Sequence, residues 1–229
     1  MSESRVFVIT GASTGIGAAT SRLAVDAGHR VVLAARSADK LAALAASLGG
    51  DARAIAVPTD VTDFAAQERL VAVALERFGA VDVVFANAGF GAKRGFLEET
   101  PEFWREMVLT NVLGAAYTIR AALPALRASR GHLVLTSSVA GRRVLSGSLY
   151  SATKHAVTAM AEALRLEADG ALRVTSIEPG IVDTPFFDSG TADWALQPDD
   201  IARAVLGAVD QPAHVDVNEI LIRPIAQPG

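Results

Sequence analysis

The sequence predicts an α/β protein in which helices cover both faces of one doubly wound, parallel sheet. Two observations lead to this prediction. Strand-length apolar segments alternate with longer amphipathic segments along the whole chain. The apolar segments also lack polar alternation, which is typical of strands buried on both faces of a parallel sheet. Because no linker and no internal repeat interrupts the pattern, we predict a single domain over residues 1–229.

Seven segments have the length and composition of strands. They are residues 5–10, 30–35, 53–58, 81–86, 132–137, 173–178 and 218–223. Six helical patterns lie between them, over residues 15–28, 38–48, 63–78, 101–128, 148–169 and 198–210. In the third pattern Leu70, Val73 and Ala74 share one face, and most charged residues lie on the other. The prediction is therefore a seven-stranded sheet.

Composition limits the classes of function. The net charge of -4 gives no reason to expect nucleic acid or an anionic membrane as a partner. With no cysteine there is no disulfide, thiolate metal site or cysteine nucleophile, and no other grouping has metal-ligand spacing. The amino terminus lacks a signal-peptide pattern, and no apolar run approaches the ~20 residues that span a bilayer. We expect a cytoplasmic protein with a small-molecule substrate.

A glycine-rich turn, "TGASTGIG" at residues 10–17, follows the first strand directly. Doubly wound sheets of the Rossmann type bind ligands at the carboxyl ends of their strands. Gly11 would permit the tight turn, Gly15 the close approach of a pyrophosphate, and Gly17 the packing of helix on strand. The helix that follows would direct its first N–H groups at the phosphate. The alternative is that these glycines only form a turn.

The residue after the second strand bears on cofactor choice. NAD-selective Rossmann domains usually carry an acidic residue near this point, which holds the ribose 2′-hydroxyl. Here Ala35 and Arg36 stand instead. A guanidinium suits the 2′-phosphate, so the sequence favours NADP(H) over NAD(H). The alternative is a solvated arginine at a helix start.

Tyr150 and Lys154 are four positions apart in a helical pattern and so share one face. Tyrosine has a reference pKa near ~10, and a neighbouring ammonium lowers that pKa toward neutrality. The pair therefore suits a general acid/base. By itself the pair could also be an ordinary surface feature.

Six motifs in order resemble the short-chain dehydrogenase/reductase family, in its single-domain form. They are the glycine turn, "NAG" at 87–89, "TNVLG" at 110–114, "SSVAG" at 137–141, "YSATK" at 150–154 and "EPGIVDT" at 178–184. The resemblance implies an NADP-dependent alcohol dehydrogenase or carbonyl reductase. Its catalytic residues would be Ser138, which holds the substrate oxygen, Tyr150, Lys154 and Asn111, which holds a water beside the lysine. Ser137 remains an alternative to Ser138, because it would restore the family's usual spacing to the tyrosine.

The resemblance also implies a set of cofactor contacts. Asp60 and Val61, in "TDVTD", would contact the adenine, and Thr184 the nicotinamide carboxamide. The full set is Gly11, Ser13, Thr14, Gly15, Ile16, Gly17, Arg36, Asp60, Val61, Asn87, Ala88, Gly89, Tyr150, Lys154, Pro179, Gly180, Val182 and Thr184. Thr14 stands where NADP-preferring members often carry a basic residue, so the NADP preference depends on Arg36.

A short loop at about residues 185–197 would cover the substrate. We predict that Phe90, Leu145, Phe186 and Trp194 line an apolar pocket for a carbonyl or alcohol, although some could merely pack the loop. Arg142 and Arg143 either meet an acidic substrate or face solvent.

Further alternatives and partners follow from the same resemblance. It implies a homodimer or homotetramer formed through the two long helices. The tail at 217–227 resembles that of NADP-dependent 3-hydroxy-acid and serine dehydrogenases. The main alternative function is a non-catalytic NADP-binding sensor or scaffold. A nucleotide-sugar dehydratase or epimerase would usually have a longer chain.

Overall fold

The computed structural model describes residues 4–187 and 190–227. Within these ranges seven parallel strands form one sheet. They are β1 (Val6–Thr10), β2 (Arg30–Ala35), β3 (Ala54–Pro58), β4 (Val83–Ala86), β5 (His132–Thr136), β6 (Arg173–Pro179) and β7 (Glu219–Ile222). The order across the sheet is β3-β2-β1-β4-β5-β6-β7, which confirms the predicted doubly wound α/β fold.

The helices lie between the strands as the sequence predicts. They are α1 (Gly15–Asp26), α2 (Ala38–Ser47), α3 (Phe64–Phe78), α4 (Pro101–Val108), α5 (Ala115–Ser129), α6 (Leu149–Ala168) and α7 (Pro198–Val209). The single helix predicted over 101–128 differs, because a π-helical stretch, Leu109–Gly114, joins α4 to α5. The stretch contains Asn111 and fits around Val61, whose Cγ2 would lie 2.8 Å from a Cβ atom added at Gly114. π-Helical turns inside helices are frequent at functional sites.

Both faces of the sheet are apolar, and each has its own core. Alternate residues of β1 show the division: Val8 packs with α3, α5 and α6, whereas Phe7 and Ile9 pack with α1, α2 and α7. All residues of β1 and β4 are buried, and so are those of β2, β5 and β6 except at their ends, whereas the edge strand β7 is partly exposed. This explains why the strands show no polar alternation in the sequence.

The chain winds in opposite directions from β1, which pairs with β2 on one side and with β4 on the other. This reversal opens a crevice at the carboxyl ends of β1 and β4, where doubly wound sheets bind ligands. No helix in the described ranges is long and apolar enough to cross a membrane. In the same ranges no group of His, Asp and Glu residues could hold a metal ion.

Candidate active site

A cleft of about 680 Å³ runs along the carboxyl ends of the strands. Its walls come from the turn after β1, the segments after β2, β3, β4, β5 and β6, and the start of α6. Every predicted site residue lines this cleft except Gly17, Asn111 and Trp194. The fold thus gathers residues that are far apart in the chain, from Gly11 to Gln227.

The turn after β1 brings backbone to the cleft wall. Gly11 and Gly15 have φ angles of 64° and 53°, which glycine adopts without strain. A Cβ atom at Gly11 would lie 3.0 Å from the Cα atom of Ala88, so this turn contacts the one after β4. Gly17 lies behind the wall, where a Cβ atom would be 2.3 Å from the Gly11 carbonyl oxygen. No larger residue fits at Gly17, which explains its place outside the cleft.

The amino end of α1 opens onto the same turn. Thr14 is the N-cap residue, but its side chain makes no capping hydrogen bond, and the first turn of α1 contains no acidic residue. The first backbone N–H groups of a helix have no partner within the helix, and they favour a phosphate. Opposite them, Thr184 lies close to Gly15, since a Cβ atom there would be 3.1 Å from the Thr184 Cγ2.

One end of the cleft lies between the segments after β2 and β3. The Asp60 carboxylate accepts hydrogen bonds from the Thr62 backbone N–H and hydroxyl, at 2.9 and 2.8 Å. The Thr62 backbone bond is the main cause that lowers the pKa of Asp60, to which the nearby charge of Arg36 adds. Arg36 is exposed, and it makes no hydrogen bond or ion pair with another residue of the described chain. Its guanidinium is therefore available to an anionic ligand.

A row of hydrogen bonds joins the ends of three strands to the buried lysine. The Asn87 side chain donates to the Thr10 carbonyl at 3.2 Å and accepts from the Thr136 hydroxyl at 3.1 Å. Lys154 Nζ donates to the Thr136 carbonyl at 2.7 Å. These bonds fix Lys154 against the end of β5, and Lys154 is only 4% exposed.

Asn111 supports this region from behind the cleft wall. Its side chain accepts from the Phe90 N–H at 3.0 Å and donates to the Phe90 carbonyl at 2.8 Å. It also donates to the Thr153 hydroxyl at 3.2 Å. The side chain thus joins the loop after β4 to α6. A Cβ atom added at Gly89 would lie 3.0 Å from the Asn111 Oδ1 and 3.7 Å from Lys154 Nζ, so the amide is near the lysine. That Asn111 holds a water there stays a prediction.

The two candidate serines have different surroundings. Ser137 is buried, and its hydroxyl contacts the Lys154 carbonyl at 3.0 Å and the Thr158 hydroxyl at 2.7 Å. Ser138 accepts from the Ala140 N–H at 3.1 Å and donates to the Pro179 carbonyl at 3.4 Å, and its hydroxyl is close enough to the Tyr150 phenol to lower the pKa of that phenol. Of the two hydroxyls, that of Ser138 shares the surroundings of the tyrosine, whereas Ser137 ties β5 to α6.

Tyr150 and Lys154 lie one turn apart at the start of α6. Lys154 Nζ is 5.6 Å from the centroid of the Tyr150 ring. Burial raises the pKa of Tyr150 to about 12, and the hydrogen bond with Ser138 opposes only part of that rise. Burial also lowers the pKa of Lys154 to about 8. This direction differs from the expectation of a lowered tyrosine pKa, because desolvation of the phenol outweighs the hydrogen bond with Ser138.

The segment after β6 is held by a residue that sequence reasoning missed. Gln227 lines the cleft, and its Oε1 accepts from the Ile181 N–H at 3.0 Å. A Cβ atom at Gly180 would lie 2.1 Å from that Oε1, so Gln227 packs directly on the backbone there. No motif signals Gln227, because only the return of the chain after β7 brings it to the site.

Aromatic residues cover the other end of the cleft. Phe186 packs edge-on against Tyr150, with ring centroids 5.7 Å apart. Phe90 and Leu145 line the cleft as predicted, and Phe103, which the sequence did not suggest, joins them. Trp194 does not line the cleft and is 37% exposed. That Trp194 contacts the substrate stays a prediction.

The predicted covering loop returns to the core at its base. Asp183 N–H donates to the Leu196 carbonyl at 2.7 Å, and Leu196 N–H donates to the Ile181 carbonyl at 3.0 Å. Phe186 lies on the first limb of this loop and lines the cleft. Trp194 lies on the second limb, which leads back to Leu196. Residues 188 and 189 of the loop lie outside the described residues.

Arg142 does not line the cleft, and its guanidinium is held by two carboxylates. Its Nε donates to the Glu178 carboxylate at 2.6 Å, and its Nη2 pairs with Glu219. The hydrogen bonds with Glu178 and Glu219 raise the pKa of Arg142. Glu178 is 1% exposed, so the arginine neutralises a buried charge. Arg143 is exposed and lies outside the cleft.

Comparisons with known proteins show the family to which the chain belongs. Residues 5–194 match the family model for short chain dehydrogenases. An uncharacterized oxidoreductase of Staphylococcus saprophyticus is 40% identical and aligns over 97% of this chain and 98% of its own. One of Staphylococcus aureus is 41% identical, over 96% and 97% of the two chains.

Two solved structures share the whole fold. An alcohol dehydrogenase from the archaeon Thermococcus sibiricus, complexed with 5-hydroxy-NADP, superposes with a TM-score of 0.93, at 35% identity and over 99% of both chains. The closed form of a serine dehydrogenase complexed with NADP⁺ gives a TM-score of 0.90, at 30% identity, over 98% of this chain and 96% of its own. The family match and the shared fold lead to one conclusion: this chain belongs to the short-chain dehydrogenase family of oxidoreductases.

Proposed function

We propose that the protein is an NADP-dependent alcohol dehydrogenase or carbonyl reductase. The observation that carries this proposal is the meeting of Ser138, Tyr150 and Lys154 in the cleft whose wall includes the glycine turn. Dinucleotide-binding elements and a proton-transfer group thus share one cavity. The substrate would be a small carbonyl compound or the corresponding secondary alcohol.

The residues of the cleft fit a nicotinamide dinucleotide. Backbone at Gly11 and Gly15, together with the amino end of α1, would hold the pyrophosphate. Asp60 and Val61 would contact the adenine, and Thr184 the nicotinamide carboxamide. When bound, the cofactor supplies or accepts the hydride.

The preference for NADP(H) is supported by Arg36. Its exposed guanidinium stands at the adenosine end of the cleft, where the 2′-phosphate would lie. A planar guanidinium can form two parallel hydrogen bonds to a phosphate. The two structural neighbours above contain NADP forms, which is consistent with this choice.

Tyr150 would carry the proton. A phenol with a pKa of about 12 keeps its proton at neutral pH, so it is ready to donate to a carbonyl oxygen that gains a hydride. The Ser138 hydroxyl beside it would hold the same oxygen and stabilise the developing charge. These are the two donors that carbonyl reduction needs.

Lys154 would hold the ligand and assist the return of the proton. Within the described chain its Nζ donates one hydrogen bond, to the Thr136 carbonyl, and an ammonium has three donors. The remaining donors are available to ligand hydroxyls in the cleft. Because its pKa is about 8, the side chain is mostly charged at neutral pH. Asn111 would act through the loop after β4 that it fixes, as a positioning residue.

The test is NADPH and NADH consumption, followed by absorbance, against aldehydes, ketones, oxo acids and semialdehydes. We expect NADPH consumption with at least one carbonyl class. Tyr150→Phe should lower kcat by about 10²- to 10⁴-fold, while the Kd for NADPH stays within a few-fold. Full activity in this variant would contradict the proposal. NADPH binding without consumption across the panel would instead support the sensor or scaffold alternative.

The proposed homodimer or homotetramer has a separate test. Val108 and Leu113, on the two sides of the junction between α4 and the π-helical stretch, are 40% and 36% exposed, and Leu166 on α6 is 77% exposed. Such side chains gain stability when another chain covers them. Sedimentation equilibrium should give a mass of two or four chains. A single chain at all concentrations would overturn the expectation.

A further inference from the structure

We propose that the substrate carries a carboxylate and that Arg94 binds it, which makes the protein a reductase of oxo acids or a dehydrogenase of hydroxy acids. This inference depends on the function proposed above and narrows its substrate class. It comes from the charges that line the cleft. In the described chain the lining residues include three cations, Arg36, Arg94 and Lys154. The role of Arg94 is not accounted for by the cofactor or by proton transfer.

Arg94 belongs to the substrate end of the cleft. It precedes α4 in the loop that begins with Phe90, and it lines the cavity together with Phe90, Phe103, Leu145 and Phe186. Phe186 also contacts the ring of Tyr150. Arg94 is exposed, and among these five lining residues it is the charged one.

The backbone of this loop is fixed to the segment before α6. The Gly95 N–H donates to the Gly147 carbonyl at 2.8 Å. Gly95 has a φ angle of 117°, which a residue with a side chain rarely adopts. The Lys93 N–H donates to the Glu99 carboxylate at 3.0 Å. Hydrogen bonds thus hold the backbone on both sides of Arg94, so a ligand would have to order only the Arg94 side chain.

No carboxylate of the described chain neutralises Arg94. It makes no hydrogen bond and no ion pair with the described residues. The acidic residue among the described lining of the cleft is Asp60, which lies at the adenosine end and is engaged by Thr62. In its own loop, Glu99 accepts from Lys93 and Glu98 packs against Gly95.

The neighbouring arginines do not offer the same site. Arg142 is paired with Glu178 and Glu219, and Arg143 lies outside the cleft. A guanidinium can form two parallel, charge-assisted hydrogen bonds with a carboxylate. The apolar wall would hold the carbon chain or ring between the carboxylate and the reacting carbonyl.

The experiment compares each acid with its neutral ester. Benzoylacetate, benzoylpropionate and benzoylbutyrate place the carboxylate progressively farther from the ketone, and their methyl esters remove its charge. The readout is the ratio of kcat/KM for acid over ester, with NADPH. For the best chain length we expect wild type to favour the acid by about tenfold or more.

Variants assign the preference to the side chain. Arg94→Gln should lower the acid/ester ratio by about tenfold and leave kcat/KM for the ester within about threefold. Arg94→Glu should reverse the preference. Lys93→Gln is the matched control, because Lys93 is an exposed cation one residue away that does not line the cleft, and its ratio should stay that of wild type.

Two results would overturn the inference. One is a wild-type ratio near one for all three pairs, and the other is a ratio that Arg94→Gln does not change. In either case, ester reduction that Tyr150→Phe abolishes would leave the proposed function standing. If no ketone is reduced, calorimetry measures the binding of phenylbutyrate to the NADP⁺ complex of each protein. A Kd that Arg94→Gln raises about tenfold supports the carboxylate site. The same Kd in both proteins, or no binding to wild type, rejects it.

Discussion

Strand β5 begins at His132 and ends at Thr136. Ser137 and Ser138, which line the cleft, follow directly after its carboxyl end. Both ends bury polar groups, but the surroundings differ. His132 is fully buried, with its Nε2 2.7 Å from the Thr175 hydroxyl, which donates to the Val217 carbonyl. Near it, Arg173 donates to the Val209 carbonyl. The amino end thus gives His132 Nε2 and Arg173 partners from within the protein, although the buried His132 Nδ1 has none in the described chain.

The carboxyl end holds cations whose hydrogen-bonding capacity the described chain does not fill. Lys154 is buried but lines the cleft, and Arg36 and Arg94 extend into the same cavity without a partner in the described chain. Burial lowers the pKa of both His132 and Lys154, to about 3 and about 8. A shifted pKa therefore does not by itself identify a functional group. Access to a cleft and available hydrogen-bond donors distinguish the two ends.

The sharpest test of this comparison uses the two serines. Ser138→Ala should lower kcat by about 10²- to 10³-fold, because the substrate oxygen loses a donor, with little change in the denaturation midpoint. Ser137→Ala should keep kcat within a few-fold but lose about 1–3 kcal/mol of stability, because the two bonds of the buried Ser137 hydroxyl, to the Lys154 carbonyl and to the Thr158 hydroxyl, are lost. Steady-state kinetics and urea denaturation measure both. The opposite pattern would assign the catalytic serine to position 137.

His132 should affect stability and not turnover. Its pKa in the folded protein lies below the ordinary value, mainly because of burial, with the positive charge of Arg173 adding to the effect. The unfolded chain therefore binds more protons below about pH 6.5, and stability falls as the pH drops toward about 3. Between about pH 7 and 4, wild type should lose about 3 kcal/mol more than His132→Asn.

Urea denaturation of both proteins at the two pH values measures this difference. The contribution of His132 is fully present above about pH 6.5, so both proteins should differ there only by the change in packing. Equal pH dependence in the two proteins would contradict the assignment. If a folded His132→Asn protein lost turnover at neutral pH, the amino end of β5 would also contribute to function, contrary to the comparison.

Arg36 should set cofactor preference. Arg36→Leu should lower the ratio of kcat/KM for NADPH over NADH by about tenfold, because a charge-assisted bond to the 2′-phosphate is lost. Lys40→Ala is the control, since Lys40 is an exposed cation on α2 that does not line the cleft. A ratio unchanged in Arg36→Leu would mean that another group selects the cofactor.

Gln227 should have the smallest effect. Gln227→Ala removes the acceptor for the Ile181 N–H and should raise the KM for NADPH about threefold to fivefold, with kcat less affected. Gln211→Ala is the counterpart at the amino end, where the side chain donates to the Gly207 carbonyl. It should leave both kinetic constants unchanged. An equal effect of the two variants would show that neither acts through the cleft.

Local pattern was sufficient for the fold and for most of the cleft. Gly11 and Gly15 indicate a turn with positive φ angles. The spacing of four from Tyr150 to Lys154 indicates a shared helix face. Both features depend only on residues close in sequence. The sequence did not show that Trp194 lies outside the cleft lining, because the course of its loop depends on hydrogen bonds with residues before the loop. Gln227 and Arg94 were missed because nothing in their neighbours marks them.

By itself the sequence determined the doubly wound sheet, the glycine-rich turn after β1 and the shared helix face of Tyr150 and Lys154, because hydrophobic period and short spacing encode them locally. Only the tertiary structure decided which serine shares the surroundings of the tyrosine, that Asn111 holds a loop, and that Arg142 is occupied while Arg94 is available. Those outcomes depend on burial and on partners brought from distant strands, and such contacts exist only once the chain is packed.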